Sequence, residues 1–149
     1  MTALPARSVL VLILMCTVLT MAAPRASAGQ CGVESLNGSY GVKFDGHSQN
    51  FGRFGSVSLW TFDGKGALKA NESFNSEVTG PGTRTIIGSY EINSNCAFRL
   101  LFASVLGHPH DVVGDCVLVD NGREFYCIDV EVGWVATLTG KQIRGASPN

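Results

Sequence analysis

The stretch that decides the fold is LNGSYGVKFDG, Leu36 to Gly46. Read in steps of two, it puts Leu36, Gly38, Tyr40, Val42 and Phe44 on one face and Asn37, Ser39, Lys43 and Asp45 on the other. Two is the side-chain period of a β-strand, and an apolar set opposite a polar one marks a strand with one face in a core. The alternation returns as Phe54, Ser56, Ser58, Trp60, Phe62, then as Leu68, Ala70, Glu72, Phe74. It continues through Ile86, Gly88, Tyr90, Ile92 and through Phe98, Leu100, Phe102. Turn formers separate these runs: Asp63-Gly64-Lys65-Gly66, Gly80-Pro81-Gly82 and Asn93-Ser94-Asn95. Asp-Gly between alternating runs is a hairpin signal. After a longer loop through Gly107-His108-Pro109-His110 come Val112 to Asp120, an Asn121-Gly122 turn, Arg123 to Val130, and a last strand from Trp134 to Ile143, which makes eight.

No segment sustains a 3.6-residue period, so parallel βαβ architectures are excluded. Eight consecutive antiparallel strands have two sheet edges to hide. Closure into an all-β, eight-stranded antiparallel up-and-down barrel hides both, with a flattened sandwich as the alternative. The interior of such a barrel holds side chains or one small ligand. Gly-Ser-Tyr occurs at Gly38 to Tyr40 and again at Gly88 to Tyr90, which reads as paired corners where glycine permits bending and tyrosine fills the bore.

Ahead of the strands, Arg7 supplies a positive region, Ser8 to Met21 an apolar one, and Ala26-Ser27-Ala28 a small-x-small cleavage pattern. We expect residues 1–28 to be a signal peptide and residues 29–149 a single barrel domain, secreted or periplasmic. Cys16 falls in the middle of the apolar run. Arg7 and Arg25 leave with the leader, so nine basic residues face twelve acidic ones. That balance argues against a nucleic-acid partner. No later stretch approaches the roughly 20 apolar residues of a membrane helix, so no span is expected in the mature protein.

Cys31, Cys96, Cys116 and Cys127 remain after export, without a C-x-x-C pair. In an oxidising compartment they read as a disulfide framework rather than a metal or redox site, with three possible pairings. A two-residue Asn121-Gly122 turn would pair Asp120 with Arg123 and, counting outward, Cys116 with Cys127, as hydrogen-bonded neighbours about 5.5 Å apart at Cα. Cys31 and Cys96 are then left for each other.

His108-Pro109-His110-Asp111, with His47 as the third imidazole, has ligand types suited to zinc or copper, but it reads as a solvated polar loop. No metal or cofactor is expected. Carboxylates on an inward face are more informative. The alternation that buries Leu68 and Phe74 turns Glu72 inward, and if Val117, Val119 and Ile128 face inward, so do Asp115, Glu124 and Tyr126. An acid in an apolar bore would have its pKa raised by desolvation, which suits general acid or base work. Tyr40, Trp60, Glu72, Tyr90, Glu124 and Tyr126 are therefore the candidate bore lining. Lys43, Arg53, Lys69 and Arg99 read as isolated, outward or near turns. No G-x-S-x-G, phosphate loop or H-E-x-x-H is present, so no catalytic residue is assigned.

LNGSYGVKFDG at Leu36 to Gly46, TFDGKGAL at Thr61 to Leu68, GSYEINSNCAF at Gly88 to Phe98 and VLVDNGREF at Val117 to Phe125 carry a resemblance. Together they resemble a family of small exported bacterial proteins with a calycin-like barrel similar to lipocalins and allene oxide cyclase. Tyr40 stands where the lipocalin Gly-x-Trp signature has tryptophan. The resemblance implies the barrel and supports the Cys31–Cys96 tie. Three functions follow as expectations. The first is a barrel that binds a small, partly apolar ligand in its bore. The second, implied by the resemblance to allene oxide cyclase, is a cyclase or isomerase with Glu72 or Glu124 as acid or base. The third is a structural or interaction protein with a filled bore.

Overall fold

A computed structural model describes residues 30–103 and 112–144. Residues 1–28, read above as a leader and including Cys16, and the stretch His108-Pro109-His110-Asp111 lie outside the described residues. The strands are β1 (Asn37–Ser48), β2 (Gly52–Asp63), β3 (Ala67–Ser76), β4 (Gly80–Ile92), β5 (Ala97–Phe102), β6 (Val112–Val119), β7 (Glu124–Asp129) and β8 (Trp134–Gln142). Each pairs antiparallel with the next, and β8 returns to β1 with Leu138 opposite Phe44, so the sheet closes into an eight-stranded barrel. Closure removes both edges, as the succession of hairpins requires.

The period-two reading holds on β1 to β5, except that Ser39, read onto the outer face, is buried. Lys43, Lys69 and Arg99 are exposed, while Tyr40, Leu68, Tyr90 and Leu100 are buried. The core is largely aromatic. Phe62 meets Tyr40 and Tyr90 edge-on, with ring centroids 5.2 Å apart in each pair, and Phe125 at 5.9 Å. Edge-to-face contacts place the positive ring rim on a negative ring face, which adds to the roughly 1.5–3 kcal/mol from burying each large side chain. The outer face carries Lys43, Asp45, Lys69, Glu91, Arg99 and Asp115, all exposed. Val57, Leu59, Ile87 and Val135 are exposed on the same face, so the outer surface is mixed in polarity. No helix among the described residues is long and apolar enough to cross a membrane.

Both Gly-Ser-Tyr corners bury their tyrosine, but the glycines serve different ends. Gly38 has φ 101°, a conformation side chains rarely adopt. At Gly88 a Cβ would lie 2.4 Å from the Leu101 carbonyl oxygen, so only glycine lets β5 approach.

Three local expectations are corrected. Gly80-Pro81-Gly82 lies within β4, because the turn falls three residues earlier, at residues 77–79, and Pro81 pairs with Asn75. The β6–β7 connection is a four-residue loop, not a two-residue one. Asp120 has φ 50° as well as Asn121 at 54° and Gly122 at 85°, and Val119–Glu124 is the last ladder pair. The predicted partners, Cys116 and Cys127, are kept, but the alternation of pair types moves by one place. Their Cα atoms are 4.0 Å apart, on the narrow, non-hydrogen-bonded side of the ladder rather than at the expected wider spacing.

The third correction is of facing. Cys116, Leu118, Phe125 and Cys127 are buried, whereas Val117, Tyr126 and Ile128 are 44%, 46% and 54% exposed. Asp115 is exposed too, and Arg99 on β5 holds it at 2.8 Å. The run from Cys116 to Val119 is apolar on both faces, so alternation alone leaves its direction open. The two bonded cysteines and the Arg99–Asp115 pair set it. Cys31 is bonded to Cys96, 65 residues away, and both disulfides fit an oxidising compartment.

Candidate functional site

The two ends of the bore are built differently. At the end where β1 begins, a 3-10 turn, Val33–Ser35, is held to the barrel by Tyr90, whose hydroxyl donates to the Leu36 carbonyl at 2.9 Å and lies 3.1 Å from that of Val33. Tyr40 donates to the Gly122 carbonyl at 2.5 Å, and Cys31–Cys96 ties the incoming chain to the β4–β5 turn. Burial, with Tyr90 nearby as the smaller cause, pushes the Tyr40 phenol up to about 12. Burial raises Tyr90 as well. Both phenols are neutral donors committed to backbone carbonyls. Trp60 lies between the ends, its indole N–H donating to Ser58 at 2.7 Å.

The opposite end combines charge with aromatic rings. Glu72 on β3 sits opposite Arg84 on β4. The Glu72 side chain is 4% exposed and that of Arg84 19%. One carboxylate oxygen accepts from Ser56 at 2.5 Å, and the other accepts from Nε of Arg84. The guanidinium carbon lies 5.6 Å from the Phe54 ring centroid and 5.2 Å from that of Phe74, and those two rings stack at 5.7 Å. A guanidinium suits such faces because it is flat, delocalised and weakly hydrated. Phe44, Phe51 and Trp134 extend the cluster, at 5.3, 6.5 and 6.1 Å from Phe54 respectively. An open groove of about 560 Å3 adjoins this end, lined by Asp45, Gly46, Arg53, Gly55, Asn75 and Glu77 with the inward-facing Phe54 and Ser76.

Of the predicted lining residues, Tyr40, Trp60, Glu72 and Tyr90 are inside, but only Glu72 stands at the charged end. Glu124 and Tyr126 are not in the bore. They sit on the outer face of β7, where Tyr126 donates to Glu124 at 2.7 Å and Lys141 stands 3.3 Å from the same oxygen. These contacts, the Tyr126 bond first, hold the Glu124 carboxyl below the ordinary range, and the bond to Glu124 raises the Tyr126 phenol. Glu124 is thus an outer carboxylate, and Glu72 is an ion-paired one rather than a lone acid in an apolar bore. Arg84 escaped the sequence reading. Its signal was present, since stepping back by two from Tyr90, Gly88 and Ile86 reaches Arg84 on the same face. The apparent turn at Gly80-Pro81-Gly82 stopped that count too early. Compared with protein-family models, with curated proteins and with solved structures, the chain finds no match.

Proposed function

We propose that this chain is an exported, calycin-like barrel that binds one small, partly apolar molecule at the end carrying Glu72 and Arg84. The observation that carries this reading is the asymmetry of the bore. One end is stapled shut by Tyr40, Tyr90 and a disulfide. The other holds a hydrogen-bonded ion pair among rings that are only half-buried, namely Phe44, Phe51, Phe74 and Trp134. Apolar walls with a few convergent polar groups are the usual makeup of a small-molecule site. The leader and the two disulfides support export. The test is native mass spectrometry of protein recovered from the exported fraction. An added mass that leaves on denaturation supports the reading, and the bare mass of residues 29–149 alone counts against it. A filled-bore structural protein is the second reading, favoured by the close aromatic packing around Phe62.

A further inference from the structure

Resting on that binding reading, we infer that the ligand is a small carboxylate with an aromatic body, and that Arg84 receives the carboxylate. Glu72 occupies Nε of Arg84, and no other hydrogen bond joins this guanidinium to the described residues. The two terminal amino groups keep their donors unused, in a side chain that solvent still reaches. Phe54 and Phe74, over which the guanidinium lies, are nearer than Glu72 to the end of the barrel where β3 finishes, which puts the guanidinium on that side of the carboxylate. The edge with the two amino groups presents two parallel N–H groups, the fork that matches the two oxygens of a carboxylate. Glu72 is a positioning residue here. Held by Ser56, it fixes the plane of the guanidinium from the Nε side and leaves the far edge open.

Charge narrows the class further. Glu72 already neutralises Arg84, so a bound monocarboxylate leaves the cluster with one net negative charge and a phosphate dianion would leave two. In a partly buried site the second charge is costly. The body of the ligand follows from the collar. The half-buried surface beside Arg84 includes the rings of Phe44 and Phe74, and a flat ring pairs with such edges and faces better than a flexible chain does.

The test is titration of the exported protein with 2-naphthoate, naphthalene-2-methanol and hexanoate, followed by calorimetry and tryptophan fluorescence. 2-Naphthoate should bind about tenfold more tightly than either of the others, the alcohol lacking the charge-assisted fork and hexanoate the ring. Arg84→Lys keeps the charge but not the fork, and should weaken 2-naphthoate about tenfold more than it weakens the alcohol. Arg84→Met with Glu72→Gln, which removes both charges together, should abolish the preference while the alcohol still binds. Equal affinity for 2-naphthoate and the alcohol overturns the carboxylate inference and leaves the binding reading standing. Equal affinity for hexanoate and 2-naphthoate overturns the aromatic body. Failure of all three to saturate overturns the inference, and the native mass spectrum then decides the binding reading separately.

Discussion

The Tyr40 hydroxyl donates to the carbonyl of Gly122, a residue 82 positions further along the chain, and so fastens the first strand to the β6–β7 loop across the end of the bore. Tyr40 has no exposed surface and Gly122 is buried, so neither group can turn to water in place of the other. Tyr40→Phe keeps the ring and orphans the carbonyl. It should cost about 1–3 kcal/mol in urea unfolding.

The same phenol gives an alkaline signature. Its folded pKa of about 12 lies above the ordinary value of 10.0, so the folded protein holds this proton more tightly than the unfolded chain does. The stabilisation is complete below pH 10 and is lost as pH rises through 12. Denaturation midpoints should fall across that window in the wild type and fall less steeply in Tyr40→Phe. Parallel curves would show that another group dominates the alkaline limb.

Breaking the Glu72–Arg84 pair from one side should hurt more than removing it whole. Arg84→Met leaves a carboxylate that is 4% exposed with Ser56 as its remaining partner. A loss of about 3–5 kcal/mol is expected, and Arg84→Met combined with Glu72→Gln should recover most of it. Additive losses in the double variant would show that the two side chains do not act as a pair.

Peptide mapping without reductant should find Cys31 joined to Cys96 and Cys116 to Cys127. On the chain-entropy model, opening the longer loop should cost about 4 kcal/mol and opening the shorter about 3 kcal/mol. Cys31→Ala/Cys96→Ala should therefore melt lower than Cys116→Ala/Cys127→Ala. The reverse order would show that the buried cross-strand bond stabilises by more than chain closure.

Tyr126→Phe should raise the titration of Glu124, read by carbon-detected NMR, because it removes the main cause that holds that carboxyl low. The carboxyl's contribution to stability is present above its unfolded pKa and fades as pH falls through the folded one. Naphthoate affinity should not change in this variant, since Glu124 and Tyr126 lie on the outer face. A weakened affinity would return them to the binding site.

The sequence by itself determined the strand count, the antiparallel succession, the facing of most of β1 to β5 and the Cys116–Cys127 partners. Those follow from local chemistry: alternation at period two, turn residues, and register counted from a hairpin. They were legible wherever one face was apolar and the other polar, as at Tyr40 and Lys43 or at Leu100 and Arg99. Where both faces are apolar, from Cys116 to Val119 and from Phe125 to Ile128, alternation carries no sign. Only the closed barrel, which turns the Cys116–Cys127 bond inward and sets Asp115 beside Arg99 outside, decided it. Glu72 could be placed in the bore from its own strand. Its pairing with Arg84 was not read, because that depends on the β3–β4 register, which the turn at residues 77–79 sets and Gly80-Pro81-Gly82 concealed. Whether a buried carboxylate stands alone or is paired is a property of two strands, and the alternation of one strand does not contain it.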